Sequence, residues 1–248
     1  MNISGNTIFI PGATSGIGRG LAERFADAGN HVIVAGRREH LVREIAAGHD
    51  NIDGFSLDVT DPRSIEAAVS TIERSFPQTN VLITVAGIMR PEDVHTAGFL
   101  PTAEATVATN LLGPIRLIGS LTEFLAAKDD AAILTVSSGL AFVPLPITPT
   151  YSATKAAIHS FTQSLRIQLA DTSIQVIEIV PPAVRTALMG LENAEHAMPL
   201  DDFLSEVMEL LESEPDADEI LVENVKFLRY AEANGNRDEV LGRLLSAH

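Results

Sequence analysis

The chain contains no cysteine and no tryptophan, and only 2 of its 248 residues are tyrosine. Without cysteine it has no disulfide, no thiolate nucleophile and no thiolate metal ligand. Basic residues are also scarce, since 17 Lys and Arg stand against 33 Asp and Glu and give a formal net charge of -16. Nucleic acids and anionic membranes attract basic surfaces, so neither is expected as a partner.

Long apolar runs are lacking too, because no run approaches the roughly 20 residues that a membrane-spanning helix needs. Residues 1–6 lack the basic segment and following apolar segment of a secretory signal peptide. Apolar residues nevertheless make up 46% of the chain, which is enough for a large core. We therefore expect a folded, soluble, cytoplasmic protein with a single domain over residues 1–248.

Short β-branched segments alternate with longer segments of helical periodicity along the chain. The predicted strands are residues 7–10, 31–35, 52–57, 81–85, 131–137 and 174–180. The predicted helices are residues 17–28, 39–47, 62–76, 103–127 and 151–170. This alternation predicts an α/β fold, with a parallel sheet covered by helices on both faces.

The segment from residue 192 to residue 223 is strongly acidic, with 12 Asp and Glu and no Lys or Arg. Leu204, Val207, Met208 and Leu211 recur within it at helical spacing. The favoured interpretation is an amphipathic helix with a solvated acidic face. The alternative is a mobile lid over a pocket, covering about residues 187–214, and the two are compatible.

Glycines cluster directly after the first predicted strand, at Gly12, Gly16 and Gly18. Such glycines let the backbone turn tightly and approach a pyrophosphate, and the helix that follows directs its free N–H groups at the anion. The spacing GxxxGxG differs from the GxGxxG of many dinucleotide-binding folds. Its position between the first strand and a helix favours a phosphate-binding turn over a purely steric one.

The end of the second predicted strand indicates the cofactor. In NAD sites an acidic residue about 20 positions beyond the turn usually binds the ribose 2′-hydroxyl. Here Arg37 and Arg38 follow the strand, and its end carries no acid. A guanidinium pairs well with a 2′-phosphate, so we expect NADP(H) to be preferred, with NAD(H) possible, rather than two solvated arginines.

Tyr151 and Lys155 are spaced i and i+4, on one face of a predicted helix. A phenol has a pKa of about 10, and a neighbouring ammonium is expected to lower that pKa. Upstream, Ser137 and Ser138 end a predicted buried strand. Carboxyl ends of parallel strands are where open α/β sheets bind ligands, so these side chains predict acid–base chemistry at that edge.

Taken in order, these motifs resemble the short-chain dehydrogenase/reductase family over about residues 5–190, with a weaker match to a last strand near 220–222. The matching residues are Gly12, Gly16, Ile17, Gly18, Asp58, Val59, Ala86, Gly87, Asn110, Ser138, Tyr151, Lys155 and the segment from Pro181 to Thr186. The resemblance implies a Rossmann-type, doubly wound parallel sheet and a nicotinamide-dependent oxidoreductase. The departures from the family pattern are Pro11, Thr84, Val85, Pro182 and a divergent tail over about residues 224–248.

The resemblance also implies roles for four catalytic residues. Tyr151 would give a proton to the substrate carbonyl oxygen, and Ser138 would hydrogen-bond the same oxygen. Lys155 would lower the pKa of Tyr151 and hold the nicotinamide ribose, while Asn110 would support Lys155 through a water. The implied cofactor contacts are Gly12, Ser15, Gly16, Ile17, Gly18, Arg37, Arg38, Asp58, Val59, Ala86, Gly87, Tyr151, Lys155, Pro181, Val184 and Thr186.

The expected substrate pocket is apolar. Its candidate lining is Met89, Leu140, Phe142, Leu188 and Met189. This lining favours an NADPH-dependent carbonyl reductase or alcohol dehydrogenase that acts on an apolar ketone or secondary alcohol. The alternatives are a 3-oxoacyl or sugar-derived substrate, with Arg90 or Arg185 available to a carboxylate, and a non-catalytic NADP-binding regulatory protein.

Two further expectations concern metals and assembly. His31, His40 and His49 fall on different elements and lack metal-ligand spacing, and His159 is interpreted as a packed histidine, so no metal is expected. The family resemblance implies a homodimer or homotetramer, with the helices at residues 103–127 and 151–170 as interface candidates.

Overall fold

The computed structural model describes residues 1–246, so the last two residues of the divergent tail lie outside the described part. Within it, seven strands form one parallel sheet in the order β3-β2-β1-β4-β5-β6-β7. The strands are β1 (Thr7–Pro11), β2 (His31–Gly36), β3 (Ile52–Ser56), β4 (Val81–Thr84), β5 (Ala131–Val136), β6 (Ile174–Ile179) and β7 (Glu219–Ile220). The strand order reverses at β1 and β4, which confirms the predicted doubly wound Rossmann-type fold.

Helices cover both faces of the sheet. They are α1 (Gly16–Asp27), α2 (Glu39–Ala47), α3 (Pro62–Ser75), α4 (Leu100–Val107), α5 (Gly113–Ala126), α6 (Pro149–Gln168), α7 (Leu200–Ser213), α8 (Lys226–Arg229) and α9 (Arg237–Ser246). The core on one face joins the strands to α1, α2 and α7, and the core on the other joins them to α3, α5 and α6. Among residues 1–246, no helix combines the length and apolar character needed to cross a bilayer.

The helix expected over residues 103–127 is broken into three parts. A π-helical turn, Ala108–Leu112, separates α4 from α5. Pro114 has no N–H to donate to the carbonyl of Asn110, so the α-helical ladder cannot continue there. The break turns the Asn110 side chain towards the loop after β4. The predicted continuous helix over residues 103–127 did not include this break.

Helix α7 belongs to the core. Its apolar face is formed by Phe203, Leu204, Val207 and Leu211, all buried against the sheet and α1. The acidic residues lie on its opposite face, as the favoured interpretation of this segment predicts. Burial of this face packs α7 against the sheet and α1. A mobile lid over about residues 187–214 stays a prediction.

Candidate active site

A cavity of about 1000 Å³ lies at the carboxyl ends of the strands. The glycine turn after β1, the ends of β2, β4 and β5, the start of α6 and the segment after β6 surround it. It is lined by every predicted cofactor residue: Gly12, Ser15, Gly16, Ile17, Gly18, Arg37, Arg38, Asp58, Val59, Ala86, Gly87, Tyr151, Lys155, Pro181, Val184 and Thr186. The predicted residues therefore meet at one site although the sequence separates them widely.

The glycine turn brings three stretches of backbone together. Gly12 has φ +96°, and a Cβ there would lie 2.5 Å from the backbone of Ala86. A Cβ on Gly18 would lie 2.5 Å from the Gly12 carbonyl oxygen. Only glycine permits this packing, which sets the amino-terminal end of α1 against the cavity. The turn therefore fits the pyrophosphate of a dinucleotide.

Two arginines flank the same turn. Arg38 donates hydrogen bonds from Nη2 to Thr14 Oγ1 at 2.8 Å and to Ser15 Oγ at 2.6 Å. The exposed Arg37 faces Asp58. Burial alone would raise the pKa of Asp58, but hydrogen bonds from Thr60 and the charge of Arg37 outweigh burial and lower it. This end of the cavity is cationic at its rim.

Tyr151 and Ser138 both line the cavity. The Ser138 hydroxyl lies close enough to the Tyr151 phenol to favour its ionised form, and Tyr151 is only 8% exposed. Burial raises the pKa of Tyr151 to about 12, against the lowering effect of Ser138. The direction is opposite to the one expected from Lys155, because the cost of burying a phenolate dominates. At neutral pH the buried phenol therefore carries its proton.

Lys155 lies one helical turn beyond Tyr151 and is 5% exposed. Its Nζ donates to the carbonyl oxygen of Val136 at 2.8 Å and lies 5.6 Å from the centroid of the Tyr151 ring. Burial lowers the pKa of Lys155 to about 8, while the charge of Glu178 acts in the opposite direction. The side chain is thus largely an ammonium at neutral pH and titrates just above it.

Asn110 braces the loop after β4 from behind the cavity. Its Oδ1 accepts from the Ile88 N–H, and its Nδ2 donates to the Ile88 carbonyl, both at 2.8 Å. The π-helical turn directs the amide to this position. Asn110 therefore holds the loop that carries Gly87 and Met89 against the cavity.

Part of the cavity wall is aliphatic. Met89, Leu140, Leu188 and Met189 line it, and their contact with a substrate stays a prediction. Phe142 was placed wrongly, since it lies outside this cavity: its ring centroid is 4.7 Å from that of His159 and 4.6 Å from the Arg229 guanidinium carbon. The short 3-10 turn after Ser138 rotates the chain, so that Leu140 faces inward and Phe142 does not.

Residues that sequence reasoning missed form the remaining wall. They come from the segment after β6, from the loop before α6 and from the carboxyl-terminal helices: Leu145, Leu191, His196, Met198, Phe227, Leu228, Arg243 and Leu244. Neither periodicity nor spacing near these residues signals a pocket, because they reach it through the tertiary fold. The divergent tail is thus part of the site.

A cluster of polar side chains joins α6 to β6 and β7. His159, Glu178 and Glu219 each place a possible ligand atom within 4.8 Å of the others. Arg229 donates from Nε and Nη2 to the two carboxylate oxygens of Glu219 at 2.7 and 3.0 Å. Because Arg229 already supplies a cation there, we interpret the cluster as an ion-pair network.

A glycine turn, a cationic rim and a buried phenol–hydroxyl pair beside an ammonium define the site of a nicotinamide-dependent oxidoreductase. The family model for short chain dehydrogenases matches residues 6–197 of this chain. The chain therefore belongs to the short-chain dehydrogenase/reductase family and is an NAD(P)-dependent oxidoreductase.

Individual relatives agree with this assignment. The oxidoreductase DltE of Bacillus subtilis (strain 168) is 40% identical over 191 residues, which cover 76% of this chain and 75% of that protein. The 2,3-dihydro-2,3-dihydroxybenzoate dehydrogenase of the same organism is 30% identical over 188 residues, 74% of this chain and 72% of that protein. A short chain dehydrogenase from Burkholderia cenocepacia J2315, crystallised with NADP, has a TM-score of 0.83 at 25% identity and 99% coverage of both chains.

Proposed function

We propose that this chain is an NADPH-preferring carbonyl reductase, or alcohol dehydrogenase in the reverse direction, for apolar ketones and secondary alcohols. The observation that carries the proposal is the buried phenol of Tyr151 together with Ser138 in an aliphatic cavity that also contains the glycine turn. A protonated phenol and a hydroxyl at one site provide both donors that a carbonyl oxygen needs as it gains charge.

Each of the four residues has a separate role in carbonyl reduction. A nicotinamide cofactor, when bound, supplies the hydride. Tyr151 donates its proton to the carbonyl oxygen, and Ser138 hydrogen-bonds that oxygen. Lys155, held by the Val136 carbonyl, places a positive charge beside the phenol and so stabilises the phenolate left after proton transfer. Asn110 holds the loop after β4 in place.

The NADPH preference is supported by the two arginines at the end of β2. Arg38 is anchored to the glycine turn by Thr14 and Ser15, while Arg37 is exposed at the rim of the same cavity. A forked guanidinium recognises a phosphate better than a ribose hydroxyl. In Arg37→Asp, the ratio of kcat/KM for NADPH to kcat/KM for NADH should fall by at least about tenfold. An unchanged ratio would refute the role of Arg37.

The substrate preference is supported by the aliphatic side chains around Tyr151 and by Phe227 and Leu244 from the tail. Sugar-derived substrates would need convergent polar side chains at this end, and the lining contributes few. A 3-oxoacyl substrate remains the nearest competitor, because its chain is apolar as well. A panel of apolar ketones, sugar ketones and 3-oxoacyl thioesters distinguishes the three classes.

The deciding experiment is cofactor oxidation by the purified protein over this panel, with NADPH and NADH in parallel. Tyr151→Phe should abolish most turnover and leave NADPH binding intact. Tyr230→Phe is the matched control, since it removes the other phenolic hydroxyl of the chain from an exposed position. Equal turnover by Tyr151→Phe and the wild type would disprove the assigned proton donor.

We further propose a homodimer or homotetramer built through α5 and α6. Ile167 on α6 is 78% exposed, so a charge placed there tests this helix as an interface without disturbing the core. Light scattering on the Ile167→Glu variant tests this assembly. A wild-type protein that is monomeric at micromolar concentration would contradict it.

A further inference from the structure

The start of α6 receives no hydrogen bond from its own N-cap residue. The first N–H groups of a helix need acceptors from outside the helix. The hydroxyl of the N-cap residue, Thr148, is buried and has no hydrogen-bond partner among residues 1–246. Pro149, the first helical residue, has no N–H to satisfy. The first N–H of α6 that needs an acceptor is therefore that of Thr150.

Glu92, from the loop after β4, supplies this acceptor. Its Oε2 accepts a hydrogen bond from the Thr150 N–H at 2.9 Å. Its own backbone N–H donates to the carbonyl oxygen of Ile147, in the loop before α6, at 2.9 Å. A negative charge at a helix N-terminus is also favoured by the helix dipole. Glu92 thus joins the loop after β4 to the first turn of the helix that carries the assigned proton donor.

The hydrogen bonds at the start of α6 lie on both sides of Tyr151. Tyr151 follows Thr150 directly and belongs to the first turn of the helix, and helix ends are the parts that fray most easily. On its other side, the Oγ of Ser152 accepts from the Leu145 N–H at 3.1 Å. Both chain neighbours of Tyr151 are therefore held by loops outside the helix. The position of the phenol depends on these contacts as well as on the helix.

The loop after β4 also lines the cavity, through Gly87, Ile88 and Met89. Asn110 holds this loop at Ile88 by two hydrogen bonds of 2.8 Å. Glu92 holds the same loop four residues further on, against α6. Loss of the Glu92 side chain would therefore loosen the loop and the start of α6 together.

We propose that Glu92 is a positioning residue of this enzyme, whose carboxylate ties the loop after β4 to the start of α6 and so fixes the Tyr151 phenol in the cavity. Glu92 is not one of the residues that line the cavity, so it acts through Tyr151. Its effect on turnover rests on the proposed function, whereas its effect on the position of Tyr151 does not.

Tyrosine fluorescence tests the proposal without substrate or cofactor. The chain has no tryptophan and two tyrosines, so Tyr230→Phe leaves Tyr151 as the single emitter. Acrylamide should quench this buried tyrosine weakly. Tyr151→Phe leaves the exposed Tyr230 and provides the reference for strong quenching. Glu92→Ala, added to Tyr230→Phe, should raise the quenching constant of Tyr151 towards that reference.

Glu92→Gln is the conservative variant. It keeps the length of the side chain and a carbonyl oxygen for the Thr150 N–H. The other oxygen of Glu92, Oε1, has no hydrogen-bond partner within residues 1–246, so its replacement by an amide nitrogen breaks no hydrogen bond. The quenching constant of Tyr151 should therefore stay near that of Tyr230→Phe alone.

Asp61→Ala is the matched control, because Asp61 caps α3 with a bond of the same kind, from the Arg63 N–H to Oδ1 at 3.0 Å. Helix α3 lies wholly within the described residues and contributes none to the cavity wall. Each alanine variant removes a helix cap and should lower the urea midpoint. Only Glu92→Ala should raise the quenching of Tyr151. The proposal is overturned if Glu92→Ala leaves this quenching unchanged, or if Asp61→Ala raises it as much.

Steady-state kinetics connect the position of Tyr151 with turnover. For a ketone that the wild type reduces, Glu92→Ala should lower kcat by at least about tenfold, because a small misplacement of a catalytic group costs about a hundredfold per ångström. NADPH affinity should change less than kcat. Glu92→Gln should restore most of kcat, and Asp61→Ala should match the wild type. An unchanged kcat in Glu92→Ala would overturn the role of Glu92 in catalysis.

The two measurements separate this proposal from the proposed function. A protein that reduces no ketone but shows the expected rise in quenching would refute the proposed function and support the positioning of Tyr151 by Glu92. A normal reductase in which Glu92→Ala changes neither the quenching nor kcat would do the reverse.

Discussion

Burial of the Lys155 ammonium should lower the free energy of unfolding, and the Lys155→Met variant should recover part of that loss. The pKa of Lys155 falls from an ordinary 10.5 to about 8. At about 1.36 kcal/mol per pH unit, the protonated side chain destabilises the folded state by about 3 kcal/mol at neutral pH. Methionine fills a similar volume and carries no charge.

Part of the stability gained by removing the buried charge is offset in the Lys155→Met variant. The Val136 carbonyl loses a hydrogen bond, which costs about 1 kcal/mol. We therefore expect Lys155→Met to be inactive yet more stable than the wild type by about 1–2 kcal/mol at neutral pH. For a chain of this size, such a gain raises Tm by about 2–8 °C.

The pH dependence gives a sharper test, because the sign follows from the direction of the shift. The pKa of Lys155 is lower in the folded state than in the unfolded state. The unfolded state therefore binds more protons between about pH 8 and 10.5. The wild type therefore becomes more stable, relative to Lys155→Met, as pH rises through this range. From about pH 7 to about pH 9.5 the difference should change by about 2 kcal/mol.

Urea unfolding of the cofactor-free proteins, followed by circular dichroism at these two pH values, measures the effect. Lys226→Met serves as the control, since Lys226 pairs with Glu223 at the surface and should leave the pH dependence of the wild type unchanged. A Lys155→Met protein that is less stable than the wild type by the same amount at both pH values would refute the reasoning.

Three further substitutions test the packing around the site. Gly12→Ala places a Cβ 2.5 Å from the Ala86 backbone, so fluorescence titration should show at least a tenfold loss of NADPH affinity, roughly 1.4 kcal/mol; an unchanged Kd would contradict the close packing. Asn110→Ala leaves the Ile88 N–H and carbonyl unpaired, so the free energy of unfolding measured with urea should fall by about 2–3 kcal/mol. A fall below about 0.5 kcal/mol would show that these two hydrogen bonds do not stabilise the fold. Gly20→Ala places a Cβ 2.2 Å from Leu204 Cδ1 and should destabilise the protein by about 1–3 kcal/mol. Additive stability changes of Gly20→Ala and Leu204→Ala in a double-mutant cycle would disprove this steric clash.

Local patterns in the chain were enough to predict the sheet. Strands β1 to β6 were predicted to within one residue at nearly every end, because short apolar segments between helices are typical of buried parallel strands. The break before α5 was missed although its signal was present, since Pro114 cannot continue an α-helix. The buried face of α7 was predicted from four apolar residues at helical spacing, but the partner of that face was not.

Spacing within one element was enough to predict the glycine turn, the Tyr151–Lys155 pair and the hydroxyls after β5. The surroundings of these residues depend on the tertiary fold. Phe142 packs against His159 and Arg229 outside the cavity, and the tail supplies Phe227 and Leu244 to the cavity wall. Helical and strand periods extend over a few residues, whereas burial and charge pairing depend on residues far apart in the chain. For that reason the protonation of Tyr151 and Lys155 follows from the fold and not from their spacing.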